Sequence, residues 1–269
     1  MTIKFLTDEK IALTSSKGNQ EKWLDDGRWY KLDQFGYEGL SEVVISTLLE
    51  KSNIETETPF TFVRYRLEKI NAHGVERCGC SSSNFLNEGE SIVTLSHLFK
   101  SEGISLNKTL QDLKSNKKRM IYLAEKTAEL TGLEDFPKYL SLLFEIDALF
   151  LNDDRHLNNI AVILTPNGYK YCPIFDNGAG LLSNVMDHPM DILPDAFIKE
   201  AKARPFMTTF NRQVSTVRDL YGNFFEMPKI KEDELSEILK EPLSYYPDRD
   251  RSYISERVIR TILLRQKKG

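Results

Sequence analysis

The run Asn152-Asp153-Asp154-Arg155-His156-Leu157-Asn158-Asn159 is densely polar between two apolar segments. Phosphoryl transfer from ATP needs a particular set of such groups. One Asp orients the attacking hydroxyl and accepts its proton, an Asn five residues later holds magnesium, and a second Asp on the following hairpin bridges magnesium to the phosphates. Asp154, Asn159 and Asp176 stand in that order. Magnesium prefers hard oxygen ligands and keeps several waters, so one carboxylate and one amide suffice beside phosphate oxygens, with no His or Cys cage. The same three residue types also arise by chance, and polar loops after helices are commonly solvated caps. Their placement favours chemistry: an apolar helix precedes them, a hairpin lies between them, and Gly178 and Gly180 follow Asp176.

Those residues must be delivered by particular elements. Tyr139 to Phe150 is apolar almost all round apart from Glu145 and Asp147, which predicts a centrally buried helix with Asp135 as its N-cap and Pro137 in its first turn. Before it, Asn116 to Thr131 carries Met120, Leu123, Ala124, Thr127 and Ala128 on one face and stops at Gly132. After it, IAVIL and YKYCPIF alternate around Pro166-Asn167-Gly168 as a hairpin. The first third reads as strands around one helix. KIALTSS and, after the Asp25-Asp26-Gly27 turn, GRWYKLD predict an early hairpin, and TFVRYRLEKI a strand after Pro59. Between them Leu40, Val43, Val44, Leu48 and Leu49 recur at helical spacing over Tyr37 to Lys51. From about residue 91 the chain reads as mainly helical, with late helices near 210–222, 231–240 and 251–267.

The 269 residues, 41% hydrophobic and 28% charged, suit one or two globular domains and exclude disordered and fibrous classes. A net charge of −4 lacks the basic balance of a general nucleic-acid binder and gives little attraction to an anionic lipid surface. With no signal-peptide pattern and no apolar run long enough to span a bilayer, the chain reads as cytosolic. Cys78, Cys80 and Cys172 are an odd set that argues against a zinc or disulfide framework, and Cys78 and Cys80, expected in a loop beyond the hinge, are read as reduced, unliganded thiols.

The run DRHLNN, with FDNGAG downstream and SSKGNQEK followed by WYK upstream, resembles the HipA-like serine/threonine kinases, including their short CtkA-like members. The DRHxxN form is also similar to that of the phosphatidylinositol kinases. The resemblance covers residues from about 14 to 182. It implies an α+β, bilobal protein-kinase-like fold, with a β-rich ATP-binding lobe over residues 1–90 and a mainly helical lobe over 91–269. It implies Asp154 as catalytic base, Asn159 and Asp176 as magnesium ligands, and Lys31 as the phosphate-gripping lysine. Glu42 is the candidate to pair with Lys31, and Glu38 is its competitor. Ser15 to Lys22 matches the family's phosphate loop, so Ser16, Lys17, Gly18, Asn19 and Gln20 are expected at ATP, although the loop has one glycine where the usual pattern has three. Ser15 or Ser16 is the expected autophosphorylation site, where added charge would repel ATP. The hinge between lobes is expected near Arg64 and Tyr65, whose backbone would meet adenine. His156 is expected at phosphate or as a buttress of Asp154. Arg155 reads either as a partner of nearby carboxylates or as a solvated loop residue.

The resulting expectation is an ATP- and magnesium-dependent kinase acting on protein serine or threonine, with a small antitoxin-type protein as an eventual partner and no direct contact with nucleic acid or membrane. Because the chain starts close to the phosphate loop, the extra N-terminal subdomain of full HipA proteins is expected to be absent. A small-molecule or lipid kinase, or a non-catalytic nucleotide-binding regulator of the same fold, are the alternatives. The intact Asp154, Asn159 and Asp176 weigh against the regulator.

Overall fold

Asp26 and Gly27 both take positive φ, 48° and 68°, the conformation a two-residue hairpin turn demands. They join Lys22–Asp25 (β2) to Arg28–Leu32 (β3) in an antiparallel pair. The computed structural model describes residues 3–6, 20–72 and 74–267. KIALTSS therefore lies outside the described residues, and the partner of β3 across the turn is β2, which begins inside the segment read as phosphate loop. Beyond β3 come Val75–Ser83 (β5), Tyr65–Ala72 (β4) and Ile3–Leu6 (β1), giving one five-stranded sheet in the order β1-β4-β5-β3-β2, with β1 parallel to β4. The expected strand after Pro59 starts only at Tyr65, because residues 61 to 63 pair instead with Ile174.

One face of this sheet is closed by Trp23, Tyr30, Leu32, Ile70 and Ala72. The helix Glu38–Leu49 (α1) packs against β3, β4 and β5, and the short Ile54–Glu57 (α2) follows it. The approach of β3 to β5 leaves no room for a side chain at Gly79. A Cβ there would lie 2.2 Å from the Lys31 carbonyl and 2.7 Å from Ile70 Cδ1. Gly79→Ala is therefore expected to cost about 2–3 kcal/mol, read from urea unfolding, and a change below 0.5 kcal/mol would show that β3 and β5 can separate freely (roughly the scale of a neutral surface substitution).

Residues 84–90 cross to a second sheet, Ser91–Thr94 (β6), Ala161–Thr165 (β7) and Gly168–Tyr171 (β8), in the order β6-β7-β8. The expected hairpin is thus two strands of three, and β6 interrupts the expected helical start at 91. Helices Leu95–Ser101 (α3), Leu106–Asp112 (α4), Asn116–Thr131 (α5) and Phe136–Phe150 (α6) precede β7. Pro194–Glu200 (α7), Phe210–Tyr221 (α8), Glu232–Leu243 (α9) and Asp248–Gln266 (α10) follow β8. The short α7 has no counterpart in the sequence reading. Gly132 ends α5 with φ 73°, as a left-handed C-cap does.

Helix α6 is the axis of this half and packs against α5, α8 and α10. Leu140, Leu142, Phe144 and Phe150 on it are fully buried, each worth roughly 1.5–3 kcal/mol relative to exposure. Asp135 stands at its N-cap, but its carboxylate pairs with Lys138 at 2.6 Å instead of bonding a helix N–H. Leu151 then turns left-handed, φ 57°, and the chain leaves the helix axis into the polar loop. Among the described residues no helix is long and apolar enough to cross a membrane.

Candidate active site

Tyr30 and Leu32 point into the core on one face of β3, so the period of two sends Lys31 to the opposite face. There its Nζ lies 2.6 Å from Glu42 Oε1 on α1 and 2.7 Å from Asp176 Oδ1 beyond β8. Glu42 is the pairing partner. Glu38, the competitor, instead accepts the backbone N–H groups of Phe35 and Gly36 at 2.7 and 3.1 Å, ahead of the helix. The second oxygen of Glu42 accepts the Asn177 N–H at 2.9 Å, which fixes the segment carrying Asp176.

Burial alone would lower the Lys31 pKa, but the Asp176 and Glu42 carboxylates outweigh it and hold it well above the usual range. Asp176 is likewise held well below the carboxylate range, Lys31 and then Lys22 overcoming its burial. Glu42 is pushed up by burial and by Asp176, against the pull of Lys31. One ammonium is thus shared by two buried carboxylates. Lys22 stands directly across β2–β3 from Lys31 and adds a second cation near Asp176, its own pKa lowered by burial. Lys22 closes the segment read as the phosphate loop, and its place four residues before Asp26, opposite Lys31 across the turn, is the signal for its role.

Asp154 and Asn159 lie on the facing loop. Asn159 Nδ2 donates to the Asp154 carbonyl at 3.0 Å, and Asp154 N–H donates to Asn152 Oδ1 at 3.3 Å, so the loop is internally tied. The Asp154 side chain remains 47% exposed. His156 places Nε2 3.8 Å from Asp154 Oδ2, while its Nδ1 accepts the Asn158 N–H at 3.2 Å. Asp153 is pushed up to about 6 by burial and by Asp154.

Arg155 resolves to the paired reading in a stronger form than expected. It is completely buried, and its guanidinium grips Asp147 of α6 at 2.9–3.1 Å, the carbonyls of Asn159 and Phe175 at 3.1 and 2.7 Å, and Asn177 Oδ1 at 2.6 Å. One side chain therefore joins the central helix, the loop of Asp154 and the segment of Asp176. Asp147 was visible in the sequence only as a polar exception on an apolar helix.

The residues expected at the hinge divide between the surface and the cluster. The Arg64 side chain is half exposed and held by Glu50 and Glu55 on the outside, and the segment that leads from the five-stranded sheet to the three-stranded one is 84–90. Tyr65 does reach the site, but by its side chain: the ring lies 5.3 Å from Lys31 Nζ and its hydroxyl oxygen accepts the Asp176 N–H at 3.4 Å. The crossing segment brings Phe85 and Leu86 against Ala161, Ile163, Cys172 and Phe175, an apolar wall next to Asp176. Of the expected phosphate-loop residues, Ser15, Ser16, Lys17, Gly18 and Asn19 lie outside the described residues. Gln20 donates to the Leu32 carbonyl at 2.7 Å.

A further buried pair anchors α1. Asp33 Oδ1 accepts the Gly39 N–H and its Oδ2 the Tyr246 hydroxyl, each at 2.6 Å, and Tyr246 comes from the turn between α9 and α10. Burial, and then Glu38, raise the Asp33 pKa to about 7. A folded pKa above the ordinary 3.8 means that the protonated form favours the fold. That contribution is complete below about pH 4 and is lost as pH rises through about 7. Asp33→Asn is expected to flatten the dependence of Tm on pH between 4 and 8, and an unchanged slope would contradict this.

A buried Lys–Glu pair under a sheet, a tied Asp-x-x-x-x-Asn loop and an Asp joined to that lysine define a kinase-like architecture. No protein-family model and no curated protein sequence matches the chain. Among solved structures, the proinflammatory kinase CtkA of Helicobacter pylori is similar at a TM-score of 0.59 and 14% identity, covering 94% of this chain and 89% of that one. The HipA–HipB toxin–antitoxin system with operator DNA from Shewanella oneidensis is similar at a TM-score of 0.46 and 14% identity, over 93% of this chain and 64% of that one. The chain has the bilobal kinase-like α+β fold, with a small sheet-rich part and a helical part, and in fold it is CtkA-like.

Proposed function

We propose that the chain is an ATP- and magnesium-dependent protein kinase that transfers a phosphoryl group to serine or threonine, with its lobes dividing near residue 90. The observation that carries this reading is the Lys31 ammonium held at once by Glu42 and Asp176, opposite the loop of Asp154 and Asn159. Lys31, fixed by Glu42, would grip phosphate oxygens, with Lys22 as a second cation. Phe85, Leu86, Ile163 and Phe175 would flank the adenine. Asp154 orients the acceptor hydroxyl and takes its proton as that oxygen attacks the γ-phosphorus and the bond to the departing ADP breaks.

The donor set fits magnesium. Among the described residues, Asp176 Oδ2 and Asn159 Oδ1 have no protein partner, and both are hard oxygens. No group of three or more His, Cys, Asp or Glu among the described residues forms a metal cage, so phosphate oxygens and water would complete the shell. Bound magnesium would offset phosphate charge.

Family resemblance extends the proposal to autophosphorylation at Ser15 or Ser16, to a toxin-type regulatory role and to a small antitoxin-type partner. The nucleotide part is tested by calorimetry. ATP is expected to bind with magnesium and to bind at least tenfold more weakly to Asp176→Asn; equal affinities would count against it. Intact mass after incubation with ATP tests the loop, where a gain of one phosphate is expected to disappear in the Ser15→Ala/Ser16→Ala double variant.

A further inference from the structure

Asp154 has a neighbour that the phosphoryl-transfer reading does not use. Arg204, fifty residues further along the chain, donates from Nη1 to Asp154 Oδ1 at 3.1 Å. Its backbone is held from three sides. Ala203 and Thr208 exchange backbone hydrogen bonds at 2.7 and 3.3 Å, buried Gln213 of α8 donates to the Arg204 carbonyl at 3.0 Å, and Phe206 packs edge-on against Phe144 of α6 with ring centres 6.0 Å apart. The guanidinium itself is 45% exposed, and among the described residues its Nε and Nη2 have no partner. The mounting is fixed and most of the fork is open.

A guanidinium presents five donors in a rigid plane that matches a carboxylate. Here one donor rests on Asp154, and the others open beside the place where an acceptor hydroxyl must approach that base. The guanidinium contacts Asp154 directly, and its charge also draws down the pKa of the neighbouring Asp153 against that group's burial. Without it an incoming acidic acceptor would approach the Asp153 and Asp154 carboxylates with no fixed cation bonded to Asp154. The exposed Asp154–Arg204 contact is of the weak kind that a second carboxylate can share or displace.

We propose that Arg204 is the acceptor-recognition residue of this site: it binds a carboxylate flanking the acceptor hydroxyl and makes the chain selective for acidic peptides. The inference rests on the kinase reading of the same site. It also gives the Arg204–Asp154 contact a role, since an acceptor carboxylate that takes up the guanidinium frees Asp154 Oδ1 for the hydroxyl proton.

The test uses two fluorescent serine peptides of equal length, one with glutamates and one with lysines flanking the serine, titrated by anisotropy in the presence of magnesium and a non-hydrolysable ATP analogue. The wild type is expected to bind the glutamate peptide about tenfold more tightly than Arg204→Ala does, Arg204→Lys to recover part of that affinity, and binding of the lysine peptide not to fall. Arg249→Ala removes the same charge from an 87% exposed site and is expected to leave both affinities as they are. No binding of the glutamate peptide by the wild type, an affinity within twofold in Arg204→Ala, or an equal loss for both peptides would overturn the proposal. Transfer from ATP to the same peptides separates the two readings. An Arg204-dependent binding preference with no transfer to any peptide would fail the kinase reading alone, whereas transfer without that preference would fail the Arg204 assignment alone.

Discussion

Replacing Arg155 with methionine is expected to destabilise the protein by about 3–5 kcal/mol, the cost of breaking a buried ion pair from one side. Asp147 would keep a buried carboxylate with only Asn152 Nδ2 at 3.0 Å to bond it, and the carbonyls of Asn159 and Phe175 would lose their shared donor. Burial already pushes the Asp147 pKa up against the pull of Arg155. Without the guanidinium the carboxyl would take a proton at higher pH, so the variant should lose more stability at pH 8 than at pH 5. Urea unfolding measures the loss, and adding Asp147→Asn to Arg155→Met should recover part of it, because the stranded charge is then gone. A loss below 1 kcal/mol (roughly that of an exposed pair) would mean that the loop of Asp154 stands without this staple.

The second large effect is expected at Lys31. Lys31→Met leaves Glu42 and Asp176 facing each other with no ammonium between them. Phosphotransfer should fall by about 100- to 1,000-fold, the scale of removing a preorganised charge from a reacting centre. Lys22 stands across the hairpin from Lys31 on the neighbouring strand and, among the described residues, lacks the bonds to Glu42 and Asp176 that position the Lys31 ammonium. The acid limb carries the sign. In the wild type, the depressed Asp176 pKa gives stability that is present above the ordinary carboxylate value near 3.8 and lost as pH falls below it. In Lys31→Met that support is absent and the variant should already be weakened at neutral pH. Transfer within threefold of the wild type, at equal stability, would remove Lys31 from the mechanism.

The legible parts of this molecule were those with a local signal. Helix α5 begins and ends where its apolar face and Gly132 predict, and the all-round apolarity of α6 was sufficient to place it at the centre. The Lys31–Glu42 pairing was also within reach, since eleven residues separate a strand lysine from a helix glutamate. Arg155 was not, because one-dimensional spacing does not distinguish a loop arginine in solvent from one closed inside four partners. The Asp33–Tyr246 contact joins residues 213 apart, and Arg204 reaches Asp154 across 50; neither separation leaves a periodic trace. The segment between the two sheets left no sequence signal for a related reason. Residues 61–63 have strand-like side chains but give their backbone bonds to Ile174, while the true crossing at 84–90 is short and has no period to read.

On the proposed mechanism, transfer to an acceptor hydroxyl depends on Asp154. Purified chain incubated with γ-labelled ATP and magnesium, alone and with a protein extract, should place label on serine or threonine of protein, and Asp154→Asn at equal folded stability should abolish it. Label that persists in Asp154→Asn, or none on protein from a wild type that binds ATP with magnesium, would contradict the assignment of this cluster as a protein kinase centre.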